Sequence, residues 1–109
     1  RHEMNLHTRP FNLIKKGEKK IESRLYDDKR KTINIGDEIV FTLINDATQT
    51  IHVVVKELLV KKSFQELFNS KELSLFGYKY IEDSLSIYTY YSKIDEEKYG
   101  VLGIVFQVV

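Results

Sequence analysis

The sequence predicts an α+β domain built on a small, curved sheet or barrel of about five mainly antiparallel strands, with two or three short flanking helices. Five stretches either alternate apolar and polar residues or are rich in β-branched residues, which is typical of strands. The helical signals are few and do not separate these strands regularly, which argues against a doubly wound parallel sheet. A length of 109 residues suits one domain over residues 1–109.

The first two predicted elements are a strand and a short helix. Met4 and Leu6 share one side of an extended segment, which predicts a strand over residues 2–7. The only proline suits the first turn of a helix, so the pattern predicts a helix over Pro10–Lys16. Gly17 then supplies the stop signal at its C-terminal end.

A second strand is predicted directly after Gly17. Ile21 and Leu25 alternate with polar residues and are expected to face the core. Glu22 and Arg24 then share the opposite face of this strand.

The middle of the chain predicts a hairpin followed by a helix. Strands are expected over residues 39–43 and 50–60, with a hairpin-like connection between them at residues 45–50. Ser63 and Glu66 have the spacing of a capping box, which predicts a short helix there.

The C-terminal third predicts a loop, a helix and a last strand. Residues 71–83 are expected to form a loop with a turn around Gly77, and residues 82–97 a helix. Residues 99–109 have the composition of a final strand. One face of the helix is expected to carry Ile81, Leu85, Tyr88 and either Tyr91 or Ser92.

Composition narrows the class of protein. The chain has no cysteine, which excludes disulfides and thiolate zinc sites and suits a reducing cytoplasm. No apolar run approaches the roughly 20 residues needed to cross a bilayer, so we expect a cytoplasmic protein without a membrane partner. The histidines, His2, His7 and His52, follow no familiar ligand spacing, and neither a metal nor another cofactor is expected.

Charge is distributed unevenly along the chain. The net charge is only +1, yet residues 15–31 carry eight basic and four acidic side chains, against nine and twelve in the remainder. Such asymmetry can create a basic face that attracts an anion. A charged run is also the ordinary composition of a solvated strand and loop.

Three side chains in this region form the candidate site. Gly17 allows a tight turn from helix to strand, so that Lys19 can approach Glu22 and Arg24. The Arg24 guanidinium can bind phosphate, carboxylate or carbonyl groups, and the Glu22 carboxylate can accept a hydrogen bond from a base amino group or accept a proton. The alternative is an exposed Glu22–Arg24 ion pair with a solvated Lys19, worth at most about 1 kcal/mol.

The residues Gly17-x-Lys19-x-x-Glu22-x-Arg24 resemble the G-x-K-x-x-E-x-R signature of the ASCH domain, a family of the PUA-like superfamily. The flanking segments "RPFNLIKKG", "INIGDEIVF" and "YGVLGIVF" are similar to those of the family and extend the likeness over nearly the whole chain. The resemblance implies a small PUA-like β-barrel in which the signature helps to form a charged cleft. It also implies RNA or a modified nucleoside as the partner.

The resemblance leaves an enzymatic alternative open. Some ASCH relatives are similar to amidohydrolases that remove an acetyl group from N-acetylcytidine, and others have been linked to ribonuclease activity. In a hydrolase, Lys19 and Glu22 would be the catalytic residues. The acetylcytidine hydrolases place a threonine where this chain has Glu22 and use a distant glutamate, for which Glu82 is a candidate. A regulatory protein without a small ligand is a third hypothesis.

Tyrosines complete the expected binding set. Tyr26 is expected on the face of Glu22 and Arg24, and with Lys19 these residues form the predicted ligand-binding group. Aromatic side chains can stack on bases, although a tyrosine stripe more often packs in the core or at its rim. Further tyrosines that are candidates for stacking are Tyr78, Tyr80, Tyr88, Tyr90 and Tyr91.

Overall fold

Five strands form one curled, mixed sheet that makes a half-barrel in the computed structural model, which describes residues 1–109. Their order across the sheet is β1-β3-β4-β5-β2, and only β1 and β3 pair in parallel. The predicted α+β class and the mainly antiparallel sheet are therefore confirmed. The strands are β1 (His2–Leu6), β2 (Ile21–Leu25), β3 (Glu38–Leu43), β4 (Asp46–Lys61) and β5 (Val101–Val108).

The two edge strands of the sheet approach each other across the open side of the half-barrel. The strands at the edges are β1 and β2. Arg24 on β2 donates a hydrogen bond from Nη2 to the backbone oxygen of Asn5 on β1, at 3.1 Å. A side chain thus bridges a gap that no backbone ladder closes.

The hairpin of β3 and β4 is longer than the sequence indicates. β4 has 16 residues, and the predicted strand over residues 50–60 lies inside it. The turn is shorter than expected because Asn45 takes a positive φ of 76°, a conformation that asparagine tolerates. An irregular register between Val55 and Glu57 bends β4 where it pairs with β5.

Four short α-helices flank the sheet, together with three short segments of 3₁₀ helix. The α1 helix begins before the position predicted from Pro10 and ends one residue earlier, at Lys15. The capping signal is confirmed, because the Ser63 side chain accepts a hydrogen bond from the backbone N–H of Glu66 at 3.1 Å. The α-helices are α1 (Thr8–Lys15), α2 (Phe64–Asn69), α3 (Ile81–Ser84) and α4 (Lys93–Tyr99), and the 3₁₀ turns cover Arg30–Thr32, Leu73–Phe76 and Leu85–Thr89.

The predicted continuous helix over residues 82–97 is wrong. The Ser92 hydroxyl accepts a hydrogen bond from the backbone N–H of Asp95 at 3.1 Å, so a new helix begins there. The preceding residues form α3 and a 3₁₀ turn, which changes the face that is buried. Leu85 is exposed, while Ile87 is buried.

Apolar side chains form two core clusters, one on each side of β2. The first joins the other four strands to α1 and includes Phe11, Phe41 and Phe106. The second joins the ends of β2, β4 and β5 to α2 and to the 3₁₀ turns after it, and includes Ile21 and Leu25. Because both faces of β2 are covered, its polar residues Glu22 and Ser23 are buried as well.

None of the helices is long and apolar enough to cross a membrane.

Candidate ligand cavity

The turn after α1 brings Lys19 to the start of β2. Gly17 takes a φ of +80°, and the N–H groups of Glu18 and Lys19 both donate to the backbone oxygen of Leu13, at 2.9 and 3.1 Å. Left-handed backbone angles at this position favour glycine, because glycine has no Cβ. The turn therefore places Lys19 beside the strand, as the sequence predicts.

Lys19, Glu22 and Arg24 form a largely buried cluster, in which Arg24 is the most exposed member, and we call it the charged triad. The Lys19 Nζ atom lies 3.2 Å from Glu22 Oε1. The Arg24 Nε and Nη2 atoms donate to Glu22 Oε2 at 3.1 and 2.8 Å. Lys19 and Glu22 are only 5% and 6% exposed, so the alternative of an exposed ion pair and a solvated lysine is wrong.

Phe76 and Gly77 contact the Lys19 side chain as well. Lys19 Nζ donates a hydrogen bond to the backbone oxygen of Phe76 at 2.8 Å. Gly77 takes a φ of +93°, and a Cβ at this position would lie 3.2 Å from Lys19 Cδ. The turn predicted around Gly77 thus packs against the Lys19 side chain, a long-range contact that the local sequence does not reveal.

The charges of the triad shift one another's pKa values. Burial lowers the pKa of Lys19, and the neighbouring Arg24 and Arg9 lower it further, while Glu22 opposes the change. Burial alone would raise the pKa of the Glu22 carboxyl, but Lys19 and Arg24 together hold it below its usual value. Burial opposes the charge of Arg24, yet Glu22 and then Tyr91 raise its pKa. Glu22 is therefore an ionised carboxylate between two cationic groups.

The triad borders a cavity of about 440 Å³ between the edge strands and the C-terminal third of the chain. Apolar walls come from Leu6, Leu13 and Ile87. The volume falls in the range of roughly 300–1,000 Å³ that is usual for small-molecule sites, which also combine apolar walls with a few placed polar groups.

Three of the four predicted ligand-binding residues line the cavity, and the fourth does not. Lys19, Glu22 and Arg24 all line the cavity. Tyr26, one residue beyond the end of β2 at Leu25, does not line the cavity, so the structure does not bring it to the predicted binding group. Tyr26 packs against the first core cluster, with Lys31 Nζ 5.5 Å from its ring centre.

The tyrosines divide similarly. Tyr78, Tyr90 and Tyr91 line the cavity, whereas Tyr80 and Tyr88 do not. Tyr78 falls in the predicted loop, whereas Tyr90 and Tyr91 fall in the predicted continuous helix, so their common wall depends on tertiary structure.

The cations at the cavity differ from the basic run in the sequence. Of the eight basic residues in segment 15–31, only Lys19 and Arg24 line the cavity. A third cation, Arg9, comes from the first turn of α1 and was not predicted. Glu82, the candidate for a distant acid, is exposed on α3 and lies outside the cavity lining.

The histidines lie apart from one another. His2 Nε2 lies 2.8 Å from Asp37 Oδ2, and His52 Nδ1 lies 3.4 Å from Glu38 Oε1. His7 lies at the cavity, where its ring centre is 5.2 Å from that of Tyr90.

Comparison with known proteins identifies one family and several solved structures of similar fold. The family model of the ASCH domain matches residues 4–109. The hypothetical protein PH0355 is 37% identical, with a TM-score of 0.85, and the match covers 99% of this chain and 98% of that chain. Protein PF0455 from Pyrococcus furiosus is 34% identical, with a TM-score of 0.73, and the match covers 100% and 98%.

A more distant structure shares the fold alone. The ASCH protein from Zymomonas mobilis is 10% identical, with a TM-score of 0.65, and the match covers 96% of this chain and 65% of that chain. Among curated proteins, none matches this chain.

Proposed function

Because the chain belongs to the ASCH domain family, whose members are PUA-like domains, we propose that its cavity binds a nucleobase. The base is carried either by a modified nucleoside or by an unpaired nucleotide of RNA. The observation that carries the proposal is the charged triad, buried at one wall of a cavity whose rim is built by tyrosines.

The triad retains hydrogen-bonding capacity for a ligand. A lysine ammonium has three donors, and Lys19 uses two of them on Glu22 and on the backbone oxygen of Phe76. Arg24 directs Nε and Nη2 to Glu22 and Asn5, so the two donors of Nη1 remain for the neighbouring Tyr91 and for a ligand. A base carbonyl is the kind of acceptor that these donors suit.

The tyrosines supply the complementary apolar contact. Tyr90 is 59% exposed, lines the cavity and packs against the His7 ring. Exposed aromatic rings are platforms on which bases stack, worth about 1–3 kcal/mol for each base.

Binding of nucleosides and short single-stranded RNAs, measured by calorimetry and by NMR shifts of cavity residues, tests the proposal. Tyr90→Ala is expected to weaken binding about tenfold to a hundredfold, since it removes one stacking surface. Tyr80→Ala is the matched control, because Tyr80 is equally exposed at 57% but lies outside the cavity lining. Binding of neither ligand class, or an equal loss in both variants, would reject the proposal.

Hydrolysis of the bound ligand is a second candidate, favoured by the lowered pKa of buried Lys19. A neutral Lys19 amine would take a proton from water as the water oxygen bonds to an acyl carbon. Arg24 would stabilise the resulting oxyanion, and the C–N bond would then break, with the proton passing to the leaving nitrogen.

Acetate release from N-acetylcytidine and cleavage of short RNAs test this second candidate. Lys19→Met keeps the length of the side chain and removes the amine, so it is expected to abolish turnover. Glu82→Gln is expected to leave turnover unchanged, because Glu82 is exposed outside the cavity lining. No turnover by the wild type beyond that of Lys19→Met would exclude both reactions.

A further inference from the structure

The charges at the cavity do not balance. Three cationic side chains, Arg9, Lys19 and Arg24, line it together with a single carboxylate, Glu22. Even with Lys19 uncharged, the two arginines outnumber Glu22. The cavity therefore carries a positive potential that a neutral nucleoside does not use.

Arg9 differs from the other two cations in having no partner. Lys19 and Arg24 are both paired with Glu22, and each also donates to a backbone oxygen. Arg9 is exposed at the cavity rim and makes no side-chain hydrogen bond or salt bridge. Its planar guanidinium is thus free to form the paired hydrogen bonds that phosphate oxygens accept.

The charge of Arg9 acts on the cavity interior as well as on solvent. Burial is the main cause of the lowered pKa of Lys19, and Arg9 adds to it. Burial likewise raises the pKa of Tyr78, which Arg9 partly offsets. Arg9 and the triad line the same cavity, so a ligand that lies against the triad can meet Arg9 at its outer end.

We propose that the ligand of this cavity is a nucleotide rather than a nucleoside, with its base at the charged triad and its phosphate on Arg9. This inference rests on the proposed function. It adds a phosphate group, which the triad does not contact, to the ligand. The shared chemistry is a nucleoside phosphate, supplied by a free mononucleotide or by an RNA strand.

Affinities of the four common nucleosides, their 5′-monophosphates and single-stranded trinucleotides, measured by calorimetry at two salt concentrations, test the inference. A monophosphate or a trinucleotide is expected to bind the wild type at least tenfold more tightly than the nucleoside, with the advantage decreasing at high salt. A gain already present in the mononucleotide identifies a terminal phosphate, whereas a gain confined to the trinucleotide identifies an RNA strand.

Arg9→Gln assigns the phosphate contact. It is expected to remove most of the tenfold advantage while changing nucleoside affinity less than twofold. Lys15→Gln is the matched control, because it removes one exposed cation from the same helix away from the cavity lining and is expected to change neither affinity.

Two outcomes would overturn the inference while leaving the proposed function intact. One is equal binding of nucleosides and nucleotides by the wild type. The other is a phosphate advantage that Arg9→Gln does not reduce. Failure of all these ligands and of N-acetylcytidine to bind would instead reject the proposed function itself.

Discussion

Two carboxylates are buried to nearly the same extent, Glu22 at 6% exposed and Glu96 at 8%, yet their surroundings differ. Glu22 lies between two cationic side chains at the cavity. Glu96 Oε2 accepts hydrogen bonds from the backbone N–H of Phe64 and the hydroxyl of Tyr88, both at 2.8 Å. These donors are uncharged and tie α4 to α2.

This difference distinguishes Glu22, which belongs to the candidate ligand site, from Glu96, which stabilises the packing of the helices. Glu96 makes its bonds within the helical layer, and burial followed by the Glu96 hydrogen bond raises the pKa of Tyr88 to about 12. Glu22 neutralises only part of the charge around it and borders a cavity. Burial of a carboxylate is therefore common to both regions, and the excess of cations is what marks the ligand site.

Substitutions that remove the charge of Glu22 or of Glu96 test this difference most directly. Glu22→Gln leaves Lys19 and Arg24 buried without an anionic partner and is expected to lower the free energy of unfolding by about 3–5 kcal/mol. Glu96→Gln keeps an acceptor for two neutral donors and is expected to cost about 1 kcal/mol. Urea unfolding measures both.

Glu57→Gln is the control for loss of a carboxylate charge at the surface. Glu57 is exposed, and its Oε1 lies 3.6 Å from Lys71, so its loss is expected to change the free energy of unfolding by less than about 0.5 kcal/mol. Equal losses for Glu22→Gln and Glu96→Gln would show that the triad cations do not depend on Glu22.

The dependence of stability on acid pH provides a second test of the role of Glu22. The pKa of Glu22 is lowered from its usual value of 4.5, so the unfolded chain binds a proton at this group more readily than the folded protein does. Its stabilising contribution is complete above pH 4.5 and decreases as the pH falls towards the pKa of the folded state.

The difference in unfolding free energy between wild type and Glu22→Gln is therefore expected to narrow below about pH 4.5, as measured by urea unfolding at a series of pH values. A difference that stays constant down to pH 2 would contradict the assigned direction of the Glu22 pKa shift.

The smallest expected effect concerns the contact that positions Lys19. Gly36 and Gly77 have nearly the same positive φ, 92° and 93°, but only a Cβ at Gly77 would contact Lys19. Gly36→Ala is expected to cost about 1–2 kcal/mol of unfolding free energy from the left-handed backbone alone. Gly77→Ala is expected to exceed it by up to about 1 kcal/mol, because the side chains of Lys19 and Leu13 must shift. Equal costs would show that this contact places no constraint on Lys19.

The core of the site was predictable because its residues are close in sequence. Gly17 and the alternation of β2 are local features, and they place Lys19, Glu22 and Arg24 together without reference to the remainder of the chain. Tyr26 packs against the first core cluster and does not reach the cavity, because the extent of the cavity is set by segments distant in the sequence.

The remainder of the cavity depends on contacts between distant segments. Arg9 and Tyr90 are more than 80 positions apart in the sequence, and both reach the cavity because the sheet curls and the C-terminal third packs over its open side. The exclusion of Tyr80 follows equally from this packing, since neither its residue type nor its neighbours distinguish it from Tyr90.

The sequence by itself determined the α+β class, the central strands, the Ser63 helix cap and the members of the charged triad, because each follows from periodicity or spacing over a few residues. Only the tertiary structure decided that the triad is buried, since burial requires cover on both faces of β2. It also decided which tyrosines and which arginine join the triad, because side chains from separate segments meet only when the edges of the sheet are brought together.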